Sequence, residues 1–385
     1  MAKIILLIDL AEEYGRSLVK GITTYTKSHQ PWVFCRMPAF IRNRYGVRGI
    51  CKWAKEWGAD GIIGPLRSEE EAEIIKKAGI RLIAQDLKDR LTQTPNITGA
   101  YYETGKMAAQ YFIRNGYTNF AFYGFKNIVW SRERAGGFED TIRKNGYSVD
   151  YFEHSKAQAH ELWYYKPSPL SEWLKALPKP VALMACDDNM GQQITEACKL
   201  TGIRIPEELA VLGVDNDEMI CNISDPPLSS IGLDVEKGGY EAAALMDKLI
   251  KNRELRWKDI VVRPTQIITR QSTDIYAARD PYVLLALKYI HQNMHLNLRV
   301  EDVLKKVPLS RRALENRFQK TIGLPIYKYI YHLRIEKFSR QLLETEKSIF
   351  EIATENGFDS SKNVARLFKE VKGCTPSDYR RSHMI

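Results

Sequence analysis

The feature that most constrains this chain is an internal duplication near its C-terminus. Residues 300–323 (VEDVLKKVPLSRRALENRFQKTIG) lie over residues 350–373 (FEIATENGFDSSKNVARLFKEVKG) at a fixed offset of 50, without a gap. Glu301 falls on Glu351, Ser310 on Ser360, Phe318 on Phe368, Gly323 on Gly373 and, further on, Tyr329 on Tyr379. A repeat of this kind implies two copies of one supersecondary unit. In each copy an apolar stretch of about two helical turns ends in a short break and a serine that can cap the next helix. The pattern is helix, turn, helix, twice.

The second helix of each copy has an inner and an outer face. Leu314 and Phe318, like Val364 and Phe368, are four apart and anchor the inner face. Ser310, Arg311, Arg312, Glu315 and Asn316 in the first copy, and Ser361, Lys362, Asn363 and Arg366 in the second, are then candidate DNA contacts. The chemistry suits a major groove: Arg reads guanine bidentately, Asn pairs with adenine, and Glu accepts from the cytosine amino group. Two such helices would meet successive groove faces about one turn apart, roughly 34 Å. Lys305, Lys306, Lys320, Lys369, Lys372, Arg380 and Arg381 are candidates for phosphate contacts, which add affinity without sequence information. Charge supports this reading: from residue 277 onward 20 Lys and Arg face 12 Asp and Glu, so +8 of the chain's formal +10 lies there. A basic tail alone is often a solvated face, but here it coincides with a reading motif.

Further residues make the resemblance specific. I-x-x-I-A at 349–353, G-F at 357–358, R-x-F-K at 366–369 and G-x-x-P-x-x-Y-R at 373–380 resemble the AraC family over nearly all of residues 280–381. Between the copies, Ile330, Leu333, Ile335, Phe338 and Leu342 recur at helical spacing within residues 324–347, which is similar to that family's long linker helix.

The front two-thirds reads differently. Short apolar runs, IILLI, GIIG, RLIA, FAFYG, ALMAC and AVLGV, alternate with helical stretches, the pattern of an α/β domain with parallel strands. Aspartates follow four of the runs: Asp9, Asp86, Asp187 and Asp215. Ligands of open α/β sheets bind at the carboxyl ends of strands, although a strand-end Asp also serves as a helix cap. Carboxylates accepting from hydroxyls, a guanidinium donating to them and rings covering C–H faces are what a sugar needs, with Tyr14, Arg16, Trp130 and Arg134 as candidate donors and walls. No G-x-S-x-G elbow, Walker-type loop or H-E-x-x-H appears, and the seven His show no metal spacing, which argues against an enzyme, a metal or a cofactor. The six cysteines form no C-x-x-C pair. The start, MAKIILLIDLAEEYG, reads as a buried strand and not as a secretion signal, because acidic residues stand where a cleavage site would be expected.

R-x-x-G-F at 134–138, the aspartate after ALMAC, VLGVDND at 211–217 and PPLSSI at 226–231 resemble the periplasmic-binding-protein-like sensors of LacI/GalR-type regulators over roughly residues 1–270. The resemblance implies that Arg134 binds sugar hydroxyls with Asp187 and Asp215 from a second lobe and Asp86 from a first. The expected fold is therefore a two-lobed α/β periplasmic-binding-protein-like sensor followed by an all-α double helix-turn-helix domain. Its expected boundaries are 1–272 for the sensor, 273–280 for a linker and 281–385 for the DNA-binding domain, with Asp280 and Pro281 as N-cap and N1 of the first reader helix. A sensor of this kind joined to an AraC-type reader is similar to the xylose-responsive regulators within that family. The likeness implies D-xylose or a related pentose as effector, double-stranded DNA and RNA polymerase as partners, a homodimer, activation of transcription and a cytoplasmic location. A cytoplasmic sugar-binding protein, a regulator of another sugar's operon and a sugar-acting enzyme are the alternatives.

Overall fold

The structure, a computed structural model, describes residues 1–37, 39–154, 167–252, 256–273, 280–294, 298–322, 324–345, 347–358 and 361–383. The chain divides into two compact units, residues 1–113 with 118–273 and residues 274–385 with 114–117. Thr273 falls in the first unit, one residue past the expected sensor boundary, and the expected linker lies mostly outside the described residues.

The first unit contains two six-stranded sheets. In one, β1 (Lys3–Leu6), β2 (Val33–Arg36), β3 (Gly61–Pro65), β4 (Arg81–Gln85), β5 (Asn96–Gly99) and β11 (Ile260–Val262) run in the order β11-β5-β4-β3-β1-β2. In the other, β6 (Phe120–Phe125), β7 (Val149–His154), β8 (Val181–Ala185), β9 (Leu209–Val214), β10 (Ser229–Leu233) and β12 (Pro264–Ile268) run in the order β12-β10-β9-β8-β6-β7. Both follow doubly wound logic, in which the order reverses beside the first strand and opens a crevice at the carboxyl ends. The pairings are parallel except β10 with β12, which is antiparallel and departs from the all-parallel expectation.

The apolar runs explain why these strands are central. Along β1 and just beyond it, Ile4, Leu6 and Ile8 pack with Leu18, Ile22 and Met246 on one face, while Ile5 and Leu7 pack with Ile50, Ala54 and Ile75 on the other. A strand covered by helices on both sides must be apolar at every position, which is how IILLI, ALMAC and AVLGV read. Helix α1 (Glu13–Ser28) crosses α9 (Val235–Lys251) at glycines: a Cβ on Gly21 would stand 1.8 Å from the Glu236 carbonyl oxygen, and one on Gly239 2.1 Å from that of Leu18. Because α9 packs on the first sheet although it follows β10 of the second, the chain passes between lobes after β5, after β10 and again between β11 and β12.

The second unit is helical: α10 (Pro281–Gln292), α11 (Val300–Leu304), α12 (Arg311–Ile322), α13 (Ile326–Glu344), α14 (Ile349–Glu355), α15 (Ser361–Lys372) and α16 (Pro376–His383). Asp280 caps α10 by accepting from the Tyr282 N–H at 3.0 Å. It holds two cores. Val303, Leu314, Phe318, Ile326 and Ile330 belong to one, and Ile335, Phe338, Leu342, Val364 and Phe368 to the other, so α13 serves both. No described helix is long and apolar enough to cross a membrane.

Candidate functional site

Helix α5 (Val129–Lys144) follows β6, and α7 (Asp188–Thr201) follows β8, so both begin at the carboxyl edge of the second sheet. Between that edge and the matching edge of the first sheet lies a cleft lined by Tyr14, Gln85 and Tyr101 from one side and Trp130, Arg134, Asp187, Asp188 and Asp215 from the other. Arg134 is buried at 3% exposure, with its guanidinium carbon 5.3 Å from the Trp130 ring and 5.5 Å from the Tyr101 ring. It donates to the Cys186 carbonyl and, at 3.4 Å, to Asp215 Oδ1, while its Nε has no hydrogen-bond partner. The Tyr14 hydroxyl is likewise buried without a partner, and burial pushes its pKa above the ordinary range. A buried polar atom without a partner costs about 1–3 kcal/mol, so the cleft is built for a polar ligand.

Three carboxylates line the same cleft. Asp187 caps α7 through Oδ1, which accepts the Met190 N–H at 2.8 Å, so it is both a cap and a cleft residue. Burial pushes its pKa up to about 6, opposed by the Met190 N–H and reinforced by the charge on Asp215. Asp215 and Asn216 adopt φ of 100° and 54°, a region that non-glycine residues rarely enter and that concentrates at ligand sites. Asp188 accepts from Ser230 Oγ at 2.6 Å and the Asp217 N–H at 2.7 Å, and burial holds its carboxyl well above the usual range.

The structure thus gathers Tyr14, Trp130, Arg134, Asp187 and Asp215 and sets three other expected residues apart. Asp9 is exposed and accepts from the Ala11 N–H at 3.0 Å, outside the cleft, because the strand-end loop turns it to solvent. Asp86 sits behind the wall, accepting from the Tyr101 hydroxyl at 2.7 Å and from Thr98 Oγ1 at 2.5 Å; it orients Tyr101 and does not line the cleft. Arg16 is held at the rim by Asp217 at 2.8 Å and Glu13 at 3.1 Å. Sequence reasoning missed Gln85, Tyr101 and Asp188. Asp188 had a signal in its place beside Asp187, whereas Tyr101 depends on a contact with a residue on another element.

In the helical unit, Ser310 Oγ accepts the Ala313 N–H at 3.3 Å at the start of α12, and Arg311, Arg312 and Asn316 are exposed, with Arg311 3.3 Å from Glu301. Glu315 is half-buried and accepts the Ile326 N–H at 3.3 Å, which gives it a role in starting α13. On α15, Val364 and Phe368 are buried and Arg366 is exposed; the side chains of Ser361, Lys362 and Asn363 lie outside the described residues. Arg380 is not free for phosphate: it donates to the carbonyls of Leu342 at 3.0 Å and Lys347 at 2.6 Å, closing the end of α13. Arg334, which the periodicity did not single out, is buried on α13 and donates to the Leu298 carbonyl at 2.7 Å and the Gly357 carbonyl at 3.4 Å, so one side chain ties the segment leading into the first copy of the repeat to the second copy. Among the described residues no group of His, Cys, Asp and Glu is placed to hold a metal ion.

The family model of a periplasmic binding protein-like domain matches residues 109–273, and that of a helix-turn-helix domain matches residues 303–382. The chain joins a periplasmic-binding-protein-like domain to an AraC-type helix-turn-helix domain, the organisation of a sugar-responsive transcription regulator and not of an enzyme. Over its length it is similar to the xylose operon regulatory protein of Escherichia coli K12, with 28% identity over 98% of this chain and 96% of that protein. The protein of the same name from Haemophilus influenzae is 29% identical over 98% of each chain. The solved structure of a xylose-binding transcription activator matches at a TM-score of 0.60 and 26% identity, covering 99% of this chain and 98% of that one.

Proposed function

We propose that this chain switches pentose-utilisation genes, with D-xylose as the effector bound in the cleft. The observation that carries the reading is the pair of unpartnered buried donors, Arg134 Nε and the Tyr14 hydroxyl, facing the carboxylates of Asp187 and Asp215. Hydroxyls of a neutral sugar can satisfy both kinds of group at once, and Trp130 offers a ring to its C–H face. Relatives of the same length and domain order are named for xylose, which supports that sugar over other small ones.

Sensing occupies residues 1–272, a linker runs over 273–280 and DNA is read by residues 281–385. Arg311, Arg312, Asn316 and Arg366 are the exposed candidates for base contact, and Ser361, Lys362 and Asn363 join them on the repeat. The protein acts in the cytoplasm as a homodimer, since paired sensors would present four reading helices at fixed spacing. Its output is activation, through RNA polymerase recruited beside the bound site. A sugar that prefers one arrangement of the lobes supplies the free energy for the switch.

Thermal melting against a panel of pentoses and hexoses tests the sensor. A ligand at about 100 times its Kd stabilises the state it binds by roughly 2.7 kcal/mol, so D-xylose raises the melting temperature selectively. A rise with another sugar and none with xylose overturns the assignment.

A further inference from the structure

The two lobes hold each other at the rim of the cleft, where Glu13 and Asp217 are part of its lining, and behind its wall. Helix α1 starts at Glu13, and its cap residue Glu12 makes no side-chain bond to the helix. The Glu13 N–H instead donates to Asp217 Oδ2, in the second lobe, at 3.1 Å. Helix α5 starts at Val129 after Ile128, which has no capping group, and the Val129 N–H donates to the Leu87 carbonyl of the first lobe at 3.2 Å. The first N–H groups of a helix have no partner within it and are ordinarily met by a Ser, Thr, Asp or Asn just upstream. Here each lobe completes the helix start of the other.

Ion pairs flank both contacts. Arg16 meets Asp217 at 2.8 Å beside the first. Beside the second, Arg90 of the first lobe grips both oxygens of Glu133 on α5, one at 2.6 Å, and Arg132 meets Asp89 at 2.9 Å. Arg90 is itself placed by Thr98 Oγ1 at 2.8 Å and by the Tyr101 ring at 5.6 Å, so this grip connects to the cleft wall. A bidentate, part-buried arginine–carboxylate pair is stronger and better oriented than a single exposed contact.

We propose that the cross-capped helix starts and their flanking ion pairs form a clasp that holds the lobes together and sets how much effector the sensor needs, with Arg90 and Glu133 as its positioning residues. Hinged lobes close around ligand in proteins of this architecture, and any contact made only on closure adds to ligand affinity without touching the ligand. An uncharged sugar therefore binds with a salt dependence that its own chemistry does not supply.

The test is calorimetric titration of the full chain with D-xylose at about 50 mM and about 500 mM NaCl, which shortens the screening length from about 14 Å to about 4 Å. The wild type is expected to lose about three- to tenfold in affinity with salt, and Glu133→Gln to bind about fivefold more weakly at low salt with most of that dependence gone. Glu133→Asp, which keeps the carboxylate and leaves Arg90 beside Asp86 and Tyr101, recovers part of the affinity and the salt dependence, which a merely structural lesion would not. Salt-independent binding by the wild type, unaltered affinity in Glu133→Gln, or no recovery in Glu133→Asp overturns the clasp. The affinity measurement rests on the sugar reading above, so hydrogen exchange at the Val129 amide of ligand-free protein is measured alongside. If no sugar binds the wild type, the sugar reading falls, and exchange decides the clasp alone: faster exchange in Glu133→Gln and at high salt upholds it, and unchanged exchange overturns it.

Discussion

At the scale of single residues, the cleft is organised around one buried guanidinium. Arg134 balances carboxylates that would otherwise repel one another, and its Nε has no hydrogen-bond partner. Arg134→Ala should abolish detectable xylose binding, and Tyr14→Phe should weaken it by about 1 kcal/mol, the worth of one neutral hydrogen bond; both are read by calorimetry. Asp187 makes the site sensitive to pH. Its pKa of about 6 lies above the value of an unfolded aspartate, so through this group the ligand-free protein loses stability as pH rises from about 4 to about 6. A sugar hydroxyl donating to Asp187 favours the ionised form, so affinity should fall as pH is lowered through about 6, with proton release on binding. Titration in buffers of different ionisation enthalpy checks this, and Asp187→Asn should remove its share of the dependence. Arg134 was legible because R-x-x-G-F marks it, and Asp187 because a buried run leads straight into it. Asp86 was misplaced for a physical reason: a strand end shows where a side chain begins, and the bonds from Tyr101 and Thr98 decide where it is spent.

Elements were most legible where periodicity was redundant. The duplicated unit announced its buried faces twice, and Leu314, Phe318, Val364 and Phe368 are all fully buried. The edge strand β2 escaped notice because VFCR is short and partly exposed, and NITG of β5 because its polar residues are buried against partners that only the fold supplies. Close helix crossings were also silent. Gly105 of α4 (Tyr101–Arg114) would place a Cβ 1.9 Å from the Arg134 carbonyl oxygen, so Gly105→Ala should cost about 1–3 kcal/mol of stability by forcing α4 away from α5, measurable by denaturant unfolding. In the helical unit two arginines should separate by role. Arg366→Ala should weaken specific DNA binding by about 1–3 kcal/mol with little change on random DNA if it reads a base. Arg380→Ala should instead lower the unit's stability by about 1–3 kcal/mol, because the carbonyl oxygens of Leu342 and Thr345 at the end of α13, and of Lys347 just beyond it, lose a donor.

At the scale of the whole molecule, the end of the sensor is tied to the strands that lead into the cleft. Arg270 donates to Asn216 Oδ1 at 2.9 Å and to the Leu228 carbonyl at 2.9 Å, and Ser272 donates to the Val211 carbonyl at 2.7 Å. Asn216 follows Asp215, the partner of Arg134, so a change at the cleft reaches the last sensor residues within two bonded steps. Arg270→Ala should keep xylose affinity within about twofold and lose most of the sugar's effect on DNA binding, a split that a ligand contact would not show. None of this was readable beforehand, since apolar runs reveal strands but not which of the two sheets each one joins. In the function proposed above, one sugar controls DNA binding through this cleft. The most direct measurement is fluorescence anisotropy of the full chain on promoter DNA of xylose-utilisation genes, with and without D-xylose, beside Arg134→Ala. Xylose is expected to shift the DNA Kd of the wild type by about tenfold, a coupling of roughly 1.4 kcal/mol, and to leave the variant unchanged. Equal DNA affinity with and without the sugar in the wild type, or an equal shift in the variant, would contradict it.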